Sequence, residues 1–486
     1  MKGVFRGIAT FVALALVAPP VAAQGVRGVA TTSSRFVELR GLRADTLAEG
    51  QLTVDASGRV IFNGRAVPCV PDVPCVVYGA GEREQGLVVT QDIRLTAWGL
   101  GARGLSATAF VRARAQAGDF AWPRAEDAFD ALIAYVEYDR APFRARLGRQ
   151  IASGGLGFSS FDGASVRFES GALVSGELYG GRSLARGVYE PRSEVLQAFE
   201  DFVPDPTVLL FGGAVDARPF GGVDVSLRYQ REIFSDRSGL ASERASAEAV
   251  ISAFAPVSIV AATDYDFAFG RFGRTDLRAR FPLSNGFSVE ARARRYVPYF
   301  ELWTIWGFFD PVAWKEAEAA LGWQAGTGFG AFASVSIRRY DETGTAIFGP
   351  PLERDTRRYV ASGWWQVPGG TWRLDGSFRH ESGAGASYGG GDVAGTWRTS
   401  EGTSLRAWLT RFEQVEEFRV GEGHVLGGGI DGSWRVNQRW SLEGGAGLYH
   451  HSSTRIDSPD WNQRRAWLSL RLEFGDDPGL RARPLQ

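Results

Sequence analysis

From residue 86 onward the chain alternates polar and apolar positions in runs of about ten residues, the length that spans a bilayer as a tilted strand. Ser106, Thr108, Phe110, Arg112, Arg114 and Gln116 alternate with Leu105, Ala107, Ala109, Val111, Ala113 and Ala115. Arg274, Asp276, Arg278 and Arg280 alternate with Thr275, Leu277, Ala279 and Phe281, and Ser288, Glu290, Arg292 and Arg294 with Phe287, Val289, Ala291 and Ala293. Ser334, Ser336 and Arg338 repeat the pattern against Ala333, Val335 and Ile337. Successive side chains on a strand point to opposite faces, so each run predicts a strand with one apolar and one charged face.

Alternation alone also fits a soluble sandwich, and the connections distinguish the two. Tight turns are expected at 141–142, 219–222, 255–256, 283–286, 326–328, 368–370, 400–402 and 436–438. Longer connections fall between them, at 117–128, 151–163, 183–206, 233–243, 297–312, 341–356, 413–424 and 451–461, with a short one near Gly270. Short periplasmic turns alternating with longer extracellular loops are the habit of outer-membrane barrels. A sheet in lipid has no solvent to satisfy an open edge, so it must close on itself. The expectation is an all-β fold: a transmembrane antiparallel up-and-down β-barrel of about 22 strands, within a range of 18–22, even in number as closure of bacterial barrels requires.

The ends of the sequence add to this. Lys2 and Arg6, the apolar run Gly7–Ala18 and the small residues Val21-Ala22-Ala23 read as an export signal cleaved near Ala23, spanning residues 1–23. Residues 24–85 form an N-terminal segment, with Phe36–Leu39 as a candidate first strand. Residues 44–85 read as a small hairpin belonging to the first outside loop, the lumen or the periplasmic side. The barrel is expected over 86–474, with a tail over 475–486. In the last run Ala466, Leu468, Leu470, Leu472 and Phe474 share one face, and Trp467, Ser469, Arg471 and Glu473 the other. It resembles the aromatic-ended final strand by which outer-membrane barrels are recognised, which implies the barrel-assembly machinery as a partner through Phe474. The tail beyond Phe474 departs from that pattern.

Composition narrows the function. The formal net charge is −1, with 54 basic and 55 acidic residues, so no charged tail recruits nucleic acid. About 60 residues lie between the signal and the first secure run, too few for the globular plug of an energised transporter, although a barrel of this size needs one if it is to be sealed that way. Cys69 and Cys75 form a close pair that predicts a disulfide in an exported protein. No spacing of His, Cys or carboxylates supports a metal site, and no cofactor is expected.

The charged face should point away from lipid, where an Arg costs a few kcal/mol at the midplane. That makes Arg112, Arg114, Arg144, Arg146, Arg228, Arg274, Asp276, Arg278, Arg280, Glu290, Arg292, Arg294 and Arg338 lumen candidates. They read either as a cross-strand ion-pair lattice or as a ladder guiding an anionic or sugar-like solute, and both roles are compatible. Trp303, Trp306, Phe308 and Phe309 crowd one connection, as a lumen constriction, a stacking platform or part of an interfacial girdle. Leu147-Gly148-Arg149-Gln150 followed by Phe161-Asp162-Gly163 resembles a pattern in alginate-export and related porin-like barrels. The resemblance covers under twenty residues and implies Arg149 and Asp162 near the channel.

The reading is an outer-membrane channel for passive diffusion of small hydrophilic solutes, with membrane lipid as its other partner. It is not an enzyme, and no oligomeric interface is legible. The rivals are a sealed structural or adhesion barrel and a lipid-modifying barrel. The latter would draw on His450, His451 and Ser452, for which no orienting third group is apparent.

Overall fold

The structure is a computed structural model that describes residues 24–47, 49–55, 60–62, 65–66, 75–119, 129–171, 173–184, 208–235, 238–254, 256–297, 313–341, 354–383, 388–399, 402–415, 422–453 and 460–475. The signal, the tail and Cys69 lie outside these residues.

The chain opens with β1 (Gly25–Leu47), a small three-stranded sheet of β2 (Thr53–Val54), β3 (Val60–Phe62) and β4 (Arg65–Ala66), and β5 (Cys75–Trp98). The wall continues through β6 (Leu105–Gly118), β7 (Phe129–Arg140), β8 (Phe143–Gly154), β9 (Gly157–Ser170), β10 (Val174–Ser183), β11 (Val208–Phe220) and β12 (Val223–Phe234). Next come β13 (Leu240–Ile251), β14 (Ser258–Asp266), β15 (Arg271–Pro282), β16 (Phe287–Tyr296), β17 (Trp314–Ala325), β18 (Phe329–Tyr340) and β19 (Asp355–Gln366). The last six are β20 (Trp372–Gly383), β21 (Tyr388–Arg398), β22 (Thr403–Val415), β23 (Glu422–Arg435), β24 (Trp440–Ser453) and β25 (Trp461–Gly475). Twenty-two of these strands form one sheet, and β1 pairs antiparallel with both β5 and β25. The sheet therefore closes and has no free edge along its paired length, as lipid demands.

The wall begins earlier in the sequence than the clean alternation does. β1 runs well beyond Phe36–Leu39 because it carries small polar residues on both faces, Thr31-Thr32-Ser33-Ser34, which hide the period-2 signal. Its pairing with β25 ends at Val37, and that of β5 with β6 at Gly86. Beyond those points β1 and β5 continue as a pair to Leu47↔Cys75. This hairpin rises past the rim on the side of the longer connections.

Curvature separates the two faces of the wall. Side chains inside a closed barrel converge and cover one another, while those outside splay apart. Outward Leu147, Leu178, Leu409 and Leu448 are 64–71% exposed, whereas inward Gln150, Glu232, Glu316 and Gln463 are 5% exposed or less. Apolar groups left bare and charged groups crowded together is a soluble protein turned inside out, and only a hydrocarbon surround stabilises it. Aromatic rings mark both ends of the apolar band. Phe287 stacks on Trp323 (5.7 Å), which meets Phe329 (5.2 Å), at the short-turn end, and Trp372 faces Trp397 at 6.2 Å. Tyr265, Phe267 and Phe272 cluster within 5.1 Å centroid distances near the opposite end.

Mid-band Leu409 points outward and its neighbour Thr410 inward. Leu409→Arg should destabilise the barrel by about 2–4 kcal/mol and Thr410→Arg by less than about 1 kcal/mol. Denaturant titration of folding into lipid vesicles checks the difference, and equal costs would reverse the assignment of faces.

Candidate functional site: the inward face and a folded-in hairpin

The inward face of β15–β20 is a belt of arginines and carboxylates. Strict register brings Arg278 opposite Arg292, and like charges directly opposite repel. Both turn diagonally instead: Arg278 donates from Nε to Glu290 (2.6 Å) and Arg292 from Nε to Asp276 (2.8 Å). Arg294 and Arg338 both donate to Glu316, whose side chain is 1% exposed, the latter from Nε at 2.9 Å. Arg338 also stands 3.9 Å from Glu381, which accepts from Arg358 (2.8 Å) and Arg379 (3.1 Å). The guanidinium of Arg338 lies over the ring of Trp314 at 4.2 Å and that of Arg294 at 5.7 Å, an inward aromatic shelf close to the outer mouth.

The inward positions of β15–β20 hold ten arginines (271, 274, 278, 280, 292, 294, 338, 358, 373 and 379) against six carboxylates (276, 290, 316, 318, 375 and 381). The sector therefore carries four excess positive charges. Below it lies a recess of ≈ 850 Å³ lined by Gly322, Gly330, Phe332, Trp364, Arg280 and Arg373, among others. Glycines open the wall there, and Arg373 lies 4.8 Å from the centroid of Trp364 while holding Asp375.

Arg112, Arg144, Arg146 and Arg274 also take inward positions with partners. Arg112 forms a two-pronged pair with Asp92 (2.7 and 2.8 Å), Arg146 donates to Glu137 (2.5 Å), Arg144 to Asp139 (3.1 Å) and Arg274 to Glu248 (3.3 Å). Arg114 lies opposite Thr90, on the same face as Arg112.

A different geometry appears at β8–β9. The sequence predicts a long outer connection over 151–163, yet β8 continues to Gly154 and β9 begins at Gly157. The physical reason is a bend built from glycines, which alternation does not register. Gly148 has φ +126°, and a Cβ on Gly163 would stand 2.0 Å from the Gly180 oxygen. A Cβ on Gly181 would stand 2.2 Å from the Asp162 oxygen, so only glycine permits the two strands to fold together on their inward side.

Past this line the hairpin lies on the inner wall. Phe161, 1% exposed, packs with Tyr179 (centroids 5.6 Å) and Leu210. The Ser159 hydroxyl donates to Gln230 Oε1 (3.2 Å), as does the Tyr179 hydroxyl (3.2 Å). Gln150 is buried, accepting from Ser165 (2.6 Å) and donating to the Gly163 carbonyl (3.1 Å). The tip reaches β12 and β13, where Gly154 meets the Arg228 side chain and Gly155 meets Ser246 and Glu248.

Because Gln150, Ser159 and Phe161 face the wall, alternation turns Arg149, Ile151, Phe158 and Asp162 the other way. Arg149 holds Asp162 through two bonds (2.8 and 2.9 Å) and donates to the Ala131 carbonyl (2.7 Å). The structure thus brings Arg149, Asp162 and Arg228 into one assembly. The sequence signal for it was the run of glycines at 148, 154, 155, 157 and 163. Trp303, Trp306, Phe308 and Phe309 lie outside the described residues.

On the outward face Ser452 pairs with His424 (Oγ to Nε2, 2.8 Å) rather than with His450 or His451. His450 instead meets Asn462 (2.9 Å), and no carboxylate hydrogen-bonds His424 among the described residues.

No protein-family model matches the sequence, and no curated protein matches it. Among solved structures the chain is similar to OccAB2 of Acinetobacter baumannii, with a TM-score of 0.37 and 8% identity over 92% of this chain and 98% of that one. It is also similar to the siderophore receptor PirA of Pseudomonas aeruginosa (0.45, 12%, 92% and 80%). A mutant of the ferric enterobactin receptor PfeA from the same organism is similar as well (0.49, 11%, 93% and 81%). At these identities the likeness concerns architecture alone. Closure of 22 strands, the outward apolar band and its two girdles make the chain an outer-membrane β-barrel.

The hairpin position predicts a cross-link. An ideal Cβ at Gly155 falls 3.0 Å from Ser246 Cβ, close enough for a bridge after slight adjustment. With Cys69 and Cys75 replaced by Ser, Gly155→Cys with Ser246→Cys should oxidise quantitatively in the folded barrel, read by peptide mass. Failure to form would mean that the hairpin does not rest on β13.

Proposed function

We propose that the chain is a passive channel for small hydrophilic solutes, with a preference for anions, narrowed at mid-height by the 149–162 hairpin. The observation that carries this reading is the excess of four positive charges on one inward sector of a closed barrel. Fixed charges lining a water-filled pore set the sign of the ions that enter it. The ion-pair lattice and a guiding ladder are then one structure: paired arginines stiffen the wall, and the surplus ones supply the field. Arg280 and Arg373 at the recess, with the rings of Phe332 and Trp364, suit a sugar acid, whose ring stacks and whose carboxylate pairs. Arg149 and Asp162 on the lumen side of the hairpin would sit at the narrowest level.

Two further readings belong to this proposal. Phe474 would be the residue read by the assembly machinery, and Cys69 would bridge Cys75 at the far end of the protruding β1–β5 pair after the signal is removed near Ala23.

Single-channel recording in a planar bilayer tests the channel. Reproducible steps are expected, with a reversal potential favouring anions in a salt gradient. Arg278→Gln with Arg280→Gln should lower the anion-to-cation permeability ratio by about twofold or more, and Glu290→Gln should raise it. A folded barrel that stays silent would identify a sealed one instead. Selectivity unmoved by either variant would remove these residues from the conduction path.

A further inference from the structure

The outward face holds a second set of charges that the pore does not use. At the outer ends of β16–β19, Arg295, Lys315 and Arg339 are direct cross-strand neighbours in register, and Arg357 follows on β19 opposite Ile337. All four share the outward face with apolar residues two positions away, Ala293, Ala317, Ile337 and Tyr359. Lys315 is the only lysine of the chain besides Lys2. Three cations in a row across three strands repel one another, and among the described residues two carboxylates, Asp341 and Asp355, stand against the four.

Those carboxylates hold them loosely. Asp341 stands 3.8 Å from Arg295 and 3.6 Å from Lys315, and Asp355 stands 3.6 Å from Arg339. None of these contacts is a hydrogen bond, whereas the inward arginines bind their carboxylates mostly at 2.5–2.9 Å. The side chains of Arg295, Lys315 and Arg339 are 53%, 64% and 70% exposed. Their donors are therefore directed outward and available to a ligand.

Their height identifies the ligand. Eight residues separate Phe287 from Arg295, Lys315 from Trp323, and Arg357 from Trp365, and ten separate Phe329 from Arg339. At ~3.3 Å per residue and a tilt near 40°, this places the cations roughly 20–25 Å above the short-turn aromatic girdle. That distance is the height of the apolar band, so the four cations stand at the headgroup level of the outer leaflet. A cation there faces neither lumen water nor acyl chains. It faces the polar heads of the lipids that pack against the wall.

We propose that Arg295, Lys315, Arg339 and Arg357 form a binding site for the phosphate groups of a phosphorylated lipid headgroup in the outer leaflet. Phosphate oxygens supply the acceptors that Asp341 and Asp355 do not, and a headgroup bearing two phosphates spans neighbouring strands and relieves the repulsion along the row. The site lies outside the pore, so it stands or falls independently of conduction.

The test uses the full barrel in detergent micelles. Bisphosphorylated lipid A, its chemically dephosphorylated counterpart and inorganic phosphate are titrated separately, with retained lipid read by native mass spectrometry. Wild type should hold the bisphosphorylated lipid at least tenfold more tightly than the dephosphorylated one. The variant with all four cations changed to Gln should lose that preference, whereas an inward Arg406→Gln control should keep it. Heat-modifiable migration confirms that each variant is folded. Equal retention of the two lipids, an unchanged preference in the quadruple variant, or displacement by millimolar inorganic phosphate alone would each overturn the assignment.

Discussion

Every feature of this molecule follows from the need to pair each backbone donor and acceptor where no water can reach. A strand edge in hydrocarbon costs several kcal/mol per unmet group, so the sheet closes β1 onto β25 as well as β5. Closure then makes curvature, and curvature sorts the side chains. Outward positions diverge and accept only groups that lipid solvates. Inward positions converge, so charges there meet partners at hydrogen-bonding distance. The arginine lattice on β15–β20 is thus the inner consequence of the same closure that leaves Leu178 and Leu448 bare outside.

A barrel of 22 strands encloses more space than its wall side chains fill, and the hairpin at 149–162 is one answer to that space. It comes from the wall itself. Gly148, Gly163 and Gly181 bend three adjacent strands inward, after which Phe161 and Gln150 bury against Tyr179, Leu210 and Ser165. The bend exchanges outer exposure of an apolar ring for a packed position, and presents the Arg149–Asp162 pair on the opposite face. Carrying the charged pair on a strand hairpin rather than on a free loop fixes its position against the inner wall.

Much of this was legible in the sequence where one chemical contrast repeats. Arg278, Arg280, Arg292 and Arg294 alternate with small apolar residues, and their shared face follows from the pleat alone. The loop rhythm gave the strand number because turn residues and long polar stretches differ in composition. β1 was harder, since threonines and serines on both faces erase the alternation. The extent of β8 and β9 was illegible because a strand that bends at glycine reads like a loop. The outward cations are hidden for a related reason: Arg295, Lys315 and Arg339 lie at the ends of their strands, where period-2 alternation fades into the connections. Which carboxylates Arg278 and Arg292 would choose was also beyond the sequence, because those two pairs run diagonally across register.

The central claim is that the hairpin sets the width of a water-filled barrel. Partitioning of graded polyethylene glycols, read as the polymer size that no longer lowers single-channel conductance, measures that width directly. Replacing 150–161 by a two-residue Asn-Gly turn should raise both the conductance and the excluded polymer size while the barrel stays folded. An unchanged cut-off in the shortened variant would contradict the account and place the narrowing elsewhere along the pore.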